Sequence, residues 1–339
     1  MKIRELEKEK FIITKELYKE AFNEDSNKFV EFYYNFIQMK DINYRIFVIE
    51  EDNEVVSMIH LHPYKFNYLD KIISTYYIVA VATKISHRKR GLYSKLLHIV
   101  FEKLKEEKCP FVFLMPASEK IYEPYEFIKL IEFNSNIVKS RESSIIFEEV
   151  DNIDDNLYSE KLKEYIYLNN DFAYKTYQNM CLAALDGSYY IAKKNDKILG
   201  YIRYVGEDKS LLDVISDKEV EEEIISSFAN YMRLDEIRID LCKGKYKKSD
   251  KLNKYMYRII DIESFIKILI PANKEFNINI RISDKDIANN SITCNIIANN
   301  NNYVISKANK YSKSMNIGDF LVYIIQNSQI PKPYIHEVV

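Results

Sequence analysis

The sequence predicts an α+β (mixed α/β) fold, and three patterns along the chain carry this prediction. Residues 74–82 are rich in β-branched and aromatic side chains, residues 91–108 place apolar side chains at helical spacing, and residues 111–115 have the composition of a buried strand. Alternation of apolar and polar residues at 276–283 predicts a half-buried strand in the C-terminal third. Helices and strands are therefore interleaved, as in domains that pack helices against sheets.

The composition of the 339-residue chain is that of a globular protein with room for two or three domains. Its 49 basic and 51 acidic residues give a formal charge of −2, which creates no overall field for nucleic acid, so no nucleic-acid partner is predicted. Residues 1–15 lack the pattern of a signal peptide, and no apolar run approaches the length of a membrane span. We therefore expect a cytoplasmic protein that does not bind membranes.

The N-terminal part predicts helices, a hairpin and then a strand–helix–strand unit. Residues 15–39 are mostly helical in pattern, and residues 44–49 and 55–61 have strand patterns around a charged turn. The elements at 74–82, 91–108 and 111–115 follow. Such a unit implies two parallel strands joined by a right-handed crossover, with the turn after the first strand at the helix N-terminus, where anions bind.

A weak internal repeat links two hairpins. Residues 47–57 and residues 190–200 both consist of a strand, a charged turn and a strand. Since any two hairpins resemble each other, duplication and coincidence are both open at this point. The second segment has no counterpart of the basic turn near Gly91, so a duplicate would have lost the site located there.

A third region begins near Met256. After the alternating strand, residues 292–298 and 303–307 flank an Asn-rich turn, which indicates a hairpin, and residues 319–326 have a helical pattern. The region is therefore predicted to contain both helix and sheet.

Neither the cysteines nor the histidines predict a metal site. His60 and His62 lie two residues apart, which on a strand places both rings on one face, but no third ligand can be identified beside them. The cysteines are spread too widely for a zinc knuckle or a redox motif and are expected to be buried apolar residues; they are Cys109, Cys181, Cys242 and Cys294.

The strongest functional signal lies between the strand and the helix of the strand–helix–strand unit. Arg88, Lys89 and Arg90 directly precede Gly91 at the predicted helix N-terminus. The helix dipole makes that end positive, so three cations are unfavourable there unless an anion also binds. A pyrophosphate would resolve the conflict, because backbone N–H groups can bond to its oxygens and Gly91 permits a close approach. A solvated basic turn is the alternative.

This turn resembles a known motif. Arg88-x-x-Gly91, after a strand that ends in Val-Ala-Val-Ala, is similar to the acetyl-CoA motif of the Gcn5-related N-acetyltransferases, the GNAT superfamily. The resemblance implies acetyl-CoA as co-substrate and no metal. The family commonly has Gly or Ala where this chain has Tyr93. The implied cofactor-binding residues in this segment are Val81, Ala82, Thr83, Arg88, Lys89, Arg90, Gly91, Leu92, Tyr93 and Ser94.

The segment after the next strand extends the resemblance. Residues 115–127 are similar to the Ile-Tyr-x-x-aromatic-Gly-Phe signature of the Eis-like (enhanced intracellular survival) branch, with Glu126 in place of the glycine. In that branch the Tyr of the Ile-Tyr pair is the general acid toward the departing CoA thiolate. Tyr122 matches that position, and Tyr125 is the second choice. A tyrosine suits the role because its ordinary pKa of about 10 leaves its proton available at neutral pH.

Two further residues belong to this predicted site. Ser118 and Glu119 follow the strand at 111–115 and are expected to line the cofactor or acceptor side.

The resemblance also covers the C-terminal part of the chain. Residues 257–263 are similar to the Arg-Val-Val-Asp-Val-Glu segment that begins a sterol-carrier-protein-like domain in the Eis-like branch. The implied architecture is two tandem GNAT folds, the second degenerate, followed by a small sterol-carrier-protein-like α+β domain. The corresponding domains are residues 1–145, 146–255 and 256–339.

The last residues resemble the usual terminus of that branch, where the α-carboxylate of the final residue acts as general base. The resemblance assigns this role to Val339, and His336 is a rival base. An α-carboxylate is ionised at neutral pH and can accept a proton from an alkylammonium, directly or through water.

These matches predict an N-acetyltransferase. A neutral amine attacks the thioester in a ternary complex, a backbone N–H near residues 81–83 polarises the carbonyl, and Tyr122 protonates the leaving CoA. The expected acceptor is a cationic amine such as an aminoglycoside, a polyamine or a lysine side chain, and the resemblance implies a homohexamer. The alternative is a non-catalytic acyl-CoA sensor or lipid carrier, which the missing glycines at 93 and 126 favour.

Overall fold

The structure is a computed structural model, and its described residues divide into two compact units. The first unit draws on residues 1–64, 71–130 and 255–331, and the second on residues 65–70 and 131–254. The described residues are 1–22, 27–38, 43–68, 71–130, 133–149, 173–174, 188–206, 209–217, 219–240, 250–252, 255–269, 276–299 and 302–327.

Both units contain strands and helices. The described strands are β1 (Lys2–Glu5), β2 (Arg45–Glu51), β3 (Glu54–Tyr68), β4 (Lys71–Thr83), β5 (Phe111–Leu114), β6 (Ile128–Lys129), β7 (Phe133–Lys139), β8 (Ile146–Glu149), β9 (Ala173–Tyr174), β10 (Ser188–Lys194), β11 (Lys197–Val205), β12 (Ser210–Ser216), β13 (Glu236–Asp240), β14 (Asp250–Leu252), β15 (Met256–Ile259), β16 (Phe276–Ser283), β17 (Ile292–Asn299), β18 (Asn302–Lys307) and β19 (Lys313–Asn316). The described α-helices are α1 (Lys15–Phe22), α2 (Asn27–Ile37), α3 (Leu92–Glu106), α4 (Glu119–Tyr122), α5 (Glu221–Tyr231), α6 (Ile262–Leu269) and α7 (Ile317–Asn327).

The main sheet of the first unit confirms the predicted strand–helix–strand unit. Its strands lie in the order β1-β2-β3-β4-β5-β15-β6, and β4 and β5 are parallel with α3 as the connection between them. Leu96, Val100 and Leu104 are fully buried on one face of α3, at the spacing that the sequence pattern predicted. The helix is therefore fixed to the sheet, and its N-terminus lies after the end of β4.

A strand from far along the chain completes this sheet. β15 pairs antiparallel with β5 on one side, where Tyr257 is opposite Phe113, and with β6 on the other. The first compact unit therefore includes residues on both sides of the boundary predicted at 256. The division into domains 1–145, 146–255 and 256–339 stays a prediction.

A second sheet in the first unit has the order β18-β17-β16-β19. In β16, Ile278, Ile280 and Ile282 are buried while the intervening polar residues are exposed, so the predicted alternation is confirmed. Helix α7 packs with β16 and β19 and also contacts β15 and β6 of the main sheet.

The second unit is built on a sheet with the order β14-β7-β13-β12-β11-β10-β8. The hairpin β10–β11 precedes β12, and α5 connects β12 to the parallel strand β13. Ile224, Ile225 and Phe228 bury one face of α5 in the core of this unit. The elements from β2 to β5 follow the same order of hairpin, strand, helix and parallel strand. The structure is therefore mixed α/β, and this order of elements occurs twice along the chain.

Candidate active site

The backbone of the turn before α3 requires a glycine at one position. Gly91 is the N-cap of α3 and has left-handed dihedral angles, with φ 72° and ψ 14°. An added Cβ would meet no atom within 4 Å, so the glycine is required by its backbone conformation and not by crowding. Lys89, with φ 63°, is also left-handed, a conformation that is uncommon for residues other than glycine.

The three cations of this turn are all exposed, and two of them have protein partners. Arg88 Nε donates to the carbonyl of Thr83 at 3.2 Å, which closes the turn onto the end of β4. Arg90 donates to Glu51 Oε1 at 2.9 Å, and this hydrogen bond lowers the pKa of Glu51. The sequence did not single out Glu51 as a counter-ion, because its strand is far from the turn along the chain.

The first turn of α3 supplies backbone donors beside these cations. Leu92 is buried and anchors the helix, while Tyr93 and Ser94 are half-buried. The first N–H groups of a helix have no carbonyl partner within the helix. Together with exposed cations and a left-handed glycine, they fit a pyrophosphate group, which needs many donors and positive charge.

The end of β4 carries the residues predicted to face the thioester. β4 and β5 pair in register at Tyr76–Val112 and Tyr77–Phe113, and β4 then continues to Thr83. Ala80, with φ 49°, interrupts the regular strand geometry directly before Val81. The backbone of the three predicted residues Val81, Ala82 and Thr83 therefore follows an irregular stretch of strand, at the side where α3 begins.

Ser57 of β3 fixes the far side of this segment. Its hydroxyl donates to the carbonyl of Ala82 at 3.0 Å and lies 2.9 Å from the hydroxyl of Thr83. Nothing in the local pattern around Ser57 indicates this role, because a buried serine on a strand has many other uses.

Three tyrosines meet at the N-terminus of α3. Tyr122 is 7% exposed and contacts Tyr93 edge-to-face, with ring centroids 6.1 Å apart. Tyr125 contacts Tyr93 in the same manner at 5.6 Å, so both candidate acids lie against the same helical residue. Burial raises the pKa of Tyr122 to about 12, so its hydroxyl keeps its proton at neutral pH.

Tyr93 contributes a polar atom that has no hydrogen-bond partner among the described residues. Its hydroxyl is buried without a hydrogen bond to the described residues, and burial raises its pKa. The family resemblance at position 93 indicated a small residue. The structure instead places an aromatic ring between Tyr122 and Tyr125, which the sequence pattern did not reveal.

The other predicted site residues lie nearby or outside the described part of the chain. Ser118 is the exposed N-cap of α4, and Glu119 is exposed and accepts a hydrogen bond from Lys129. Val339 and its rival His336 lie outside the described residues, so their predicted roles stay predictions.

Glu126, where the branch signature has glycine, keeps the backbone shape of a glycine. It has left-handed dihedral angles, with φ 59° and ψ 29°. A carboxylate side chain therefore occupies a position that normally avoids side chains. The backbone at position 126 therefore has a conformation that glycine adopts freely, although the residue is a glutamate.

The equivalent helix of the second unit has the opposite charge at its N-terminus. The first turn of α5 contains Glu221, Glu222 and Glu223. Carboxylates satisfy the positive end of the helix dipole, so no anionic ligand is needed there, and one would be repelled. This contrast supports the prediction that the second segment lacks an acetyl-CoA site.

His60 and His62 form a hydrogen-bonded cluster in the core of the first unit. The hydroxyl of Tyr33 lies 2.8 Å from Nδ1 of His60 and 2.9 Å from Nε2 of His62. Both imidazoles are buried, which lowers their pKa values, that of His62 to about 3. Cys109 and Cys294 are buried free thiols as predicted, whereas Cys181 and Cys242 lie outside the described residues.

Comparison with known families identifies the first part of the chain. Residues 2–129 match the family model described as an acetyltransferase (GNAT) domain. The protein is an acetyl-CoA-dependent acyltransferase. The match covers β1 to β6 and includes every predicted site residue except Val339. A search of curated protein sequences gave no significant match.

Several solved structures have the same fold as nearly the whole of this chain, including its GNAT domain. A conserved protein of unknown function from Enterococcus faecalis, a probable N-acyltransferase, superposes with a TM-score of 0.77 at 14% identity, covering 95% of this chain and 88% of that one. A GCN5-related N-acetyltransferase from Kribbella flavida has a TM-score of 0.75 at 10% identity, with 100% of both chains covered. Eis1 from Mycobacterium abscessus has a TM-score of 0.69 at 10% identity, covering 96% and 90%.

At identities of 10–14%, the similarity to these structures shows the fold alone.

Among the described residues, no helix is long and apolar enough to cross a membrane.

Proposed function

We propose that the protein is an N-acetyltransferase that moves the acetyl group of acetyl-CoA to a primary amine of a cationic acceptor by direct attack in a ternary complex. The observation that carries this proposal is the position of Tyr122. This buried tyrosine keeps its proton at neutral pH, and its ring contacts Tyr93 in the first turn of α3, the helix whose N-terminus fits the pyrophosphate. Aminoglycosides, polyamines and lysine side chains are the acceptor classes that fit the reaction.

The reaction requires two proton movements. The amine nitrogen bonds to the thioester carbonyl carbon, whose developing oxyanion is stabilised by a backbone N–H near residues 81–83. The C–S bond then breaks, and Tyr122 gives its proton to the CoA sulfur. The proton lost by the amine passes to a general base, for which we propose the α-carboxylate of Val339.

The wider arrangement of the Eis-like branch is part of the proposal. The Ile-Tyr signature at Tyr122, the shared fold with Eis1 and the acidic start of α5 support two tandem GNAT folds, of which only the first binds acetyl-CoA. The sterol-carrier-protein-like domain, the hexamer and the cytoplasmic location remain predictions.

The alternative function is a non-catalytic acyl-CoA sensor or lipid carrier. Tyr93 favours it, because a bulky ring stands where the family has a small residue. Glu126 favours it less than the sequence indicated, since the residue retains the left-handed backbone of the expected glycine.

The direct test is release of CoA from acetyl-CoA, followed with a thiol reagent, against aminoglycosides, polyamines and lysine-containing peptides. Amine-dependent release supports the N-acetyltransferase and begins to define its acceptor. Calorimetry on the same protein separates the alternatives. Binding of acetyl-CoA without release with any amine favours the sensor, and absence of binding contradicts both the N-acetyltransferase and the acyl-CoA sensor.

We predict that Tyr122→Phe lowers kcat by about 10²-fold or more, because general acids commonly contribute a factor of this size. The KM for acetyl-CoA should change little, since the phenyl ring keeps its contact with Tyr93. Tyr125→Phe is the matched control. A large loss in that variant, with Tyr122→Phe nearly normal, would transfer the acid role to Tyr125.

A further inference from the structure

One buried arginine holds the turn that carries the proposed acid. Arg258, on β15, is 0% exposed. Its Nε donates to the carbonyl of Tyr125 at 2.7 Å, and one of its terminal nitrogens donates to the carbonyl of Ile259 at 2.6 Å. The other terminal nitrogen donates to Asp284 Oδ1 at 2.7 Å. The guanidinium therefore connects the Tyr122–Phe127 turn to β15 and to the segment after β16.

Asp284 is itself fixed by its surroundings. Its side chain is fully buried and accepts hydrogen bonds from the backbone N–H groups of Asp286 at 3.0 Å and Ile287 at 2.9 Å. Asn290 donates to its other oxygen at 2.9 Å. The carboxylate is thus held in place by its own loop, and it presents a rigid acceptor to Arg258.

Two more carboxylates surround the same guanidinium. Glu126 lies 3.9 Å and Asp286 4.0 Å from the terminal nitrogen that bonds to Asp284. One oxygen of each of the three carboxylates lies within 4.8 Å of the others, a grouping that would suit a cation. Arg258 already supplies that cation, so the cluster is built around a guanidinium.

The cluster also contacts the helix that would bind the pyrophosphate. The ring of Phe101, on α3, lies 5.5 Å from the guanidinium carbon. His98, also on α3, is 2.9 Å from Asp286 Oδ1, and its ring lies 5.9 Å from that of Tyr125. The acid-bearing turn and α3 therefore contact the same cluster of side chains around Arg258.

Stability alone is a weak reason for such a cluster. Burying an ion pair costs desolvation energy that its attraction often fails to recover, and well-packed apolar residues are frequently as stable. A planar guanidinium, however, fixes several acceptors at defined angles, which an apolar side chain cannot do. The geometry therefore favours a role in positioning.

We propose that Arg258 and Asp284 are positioning residues for the reaction: they fix the Tyr122–Phe127 turn against α3, so that the hydroxyl of Tyr122 meets the CoA sulfur. This inference rests on the proposed function, because it acts through Tyr122. The proposal also gives Arg258 a physical role. The family resemblance of residues 257–263 includes this arginine but assigns no role to it.

The test uses Arg258→Lys, which keeps the charge but loses the forked geometry. We expect kcat to fall by about 10-fold or more with a nearly unchanged KM for acetyl-CoA, because small misplacements of catalytic groups cost rates of this order. The matched control is Arg45→Lys. Arg45, on β2 of the same sheet, is also buried, at 6% exposure, and pairs with Glu5 of β1 and with Glu107 at the end of α3; none of its described hydrogen bonds reaches the turn. Equal losses of kcat in both variants would contradict the proposal.

A double variant tests whether the effect passes through Tyr122. In a Tyr122→Phe background, Arg258→Lys should cause little further loss of kcat, since the group it positions is already gone. Multiplied losses would overturn the inference. Asp284→Asn, which keeps the shape of the side chain, gives the same comparison if Arg258→Lys does not fold.

Amide hydrogen exchange separates this inference from the proposed function. Peptides covering residues 119–127 should exchange faster in Arg258→Lys than in the wild type, and unchanged exchange would overturn the positioning role. If Tyr122→Phe keeps full turnover, the proposed acid is wrong, whereas the exchange result still decides whether Arg258 fixes the turn.

Discussion

Gly91 and Glu126 both have a left-handed backbone at the candidate site, but the free-energy cost of this conformation differs between them. Glycine adopts this conformation freely, whereas a residue with a Cβ is strained by about 1 kcal/mol or more. Glu126 is held there although it is not a glycine, and its side chain lies 3.9 Å from Arg258. The strain at Glu126 therefore accompanies an ion cluster that a glycine could not join.

At position 93, the unpartnered hydroxyl leads to a prediction about stability. Tyr93→Phe should leave the ligand-free protein as stable as the wild type, or more stable by about 1 kcal/mol, because a buried hydroxyl without a hydrogen bond costs free energy. Thermal unfolding followed by circular dichroism measures the effect. A clearly lower Tm would mean that the hydroxyl has a hydrogen-bond partner.

Candidate site residues could be chosen from the sequence where a local motif marks their positions, and their chemical roles stay predictions. Arg88, Gly91 and Tyr122 stand out because spacing and flanking elements define their positions in the sequence. Arg258 and Tyr125 are 133 residues apart along the chain, so their hydrogen bond could not be inferred from either segment. Long-range pairing of this kind depends on the fold of the intervening chain.

Among the secondary-structure elements, α3 and α5 differ most at their first turns. Cations precede α3, whereas glutamates begin α5. The first arrangement is unfavourable without an anion, and the second is favourable without one. We therefore expect an anion to bind at the N-terminus of α3 and none to bind at the N-terminus of α5.

This contrast predicts opposite effects of a charge reversal before α3. Lys89→Glu should weaken acetyl-CoA binding several-fold, yet it should raise the stability of the ligand-free protein by about 0.3–1 kcal/mol through the helix dipole. Calorimetry and thermal unfolding measure the two effects. The matched control is Glu222→Lys at the exposed start of α5, which should not change acetyl-CoA binding. Weaker binding in that control would contradict a single site.

The sequence predicted the secondary-structure elements better than it predicted which strands pair in a sheet. β4, α3 and β5 were predictable because their apolar periods differ and short turns separate them. β15 was recognised as the start of a new region, and its place between β5 and β6 was not. Its partners lie far along the chain, and strand patterns do not specify which strand will pair with which.

For the whole molecule, the buried imidazoles predict a loss of stability in acid. Burial holds the pKa of His62 at about 3, whereas the unfolded chain has a pKa of about 6.5. The unfolded state therefore binds more protons between these values, and stability falls as the pH drops below about 6.5, by up to about 1.4 kcal/mol per pH unit for each such histidine.

His62→Gln tests this linkage, because glutamine can bond to the hydroxyl of Tyr33 but does not titrate. The Tm of the variant should fall less steeply than that of the wild type between pH 6.5 and pH 5, although its Tm at pH 7 should be lower. Parallel curves would show that His62 does not contribute.

The proposed base lies at the last residues of the sequence, which a truncation can test. Deleting Val338 and Val339 should abolish turnover while acetyl-CoA binding stays nearly intact, because the terminal carboxylate moves to Glu337, two residues short of the position where it would serve the amine. Kinetics and calorimetry on the truncated protein decide this. Full activity without the two residues would exclude the terminal base.

The insertion of β15 between β5 and β6 has a consequence for biosynthesis. When residue 130 leaves the ribosome, β5 and β6 have no strand between them, and the edges of these strands that β15 will occupy stay unpaired until residues 256–259 are made. At about 5–20 residues per second, this delay lasts roughly 6–25 s. The main sheet of the first unit is therefore completed late, and during that interval its open edges could pair with other chains unless a chaperone covers them.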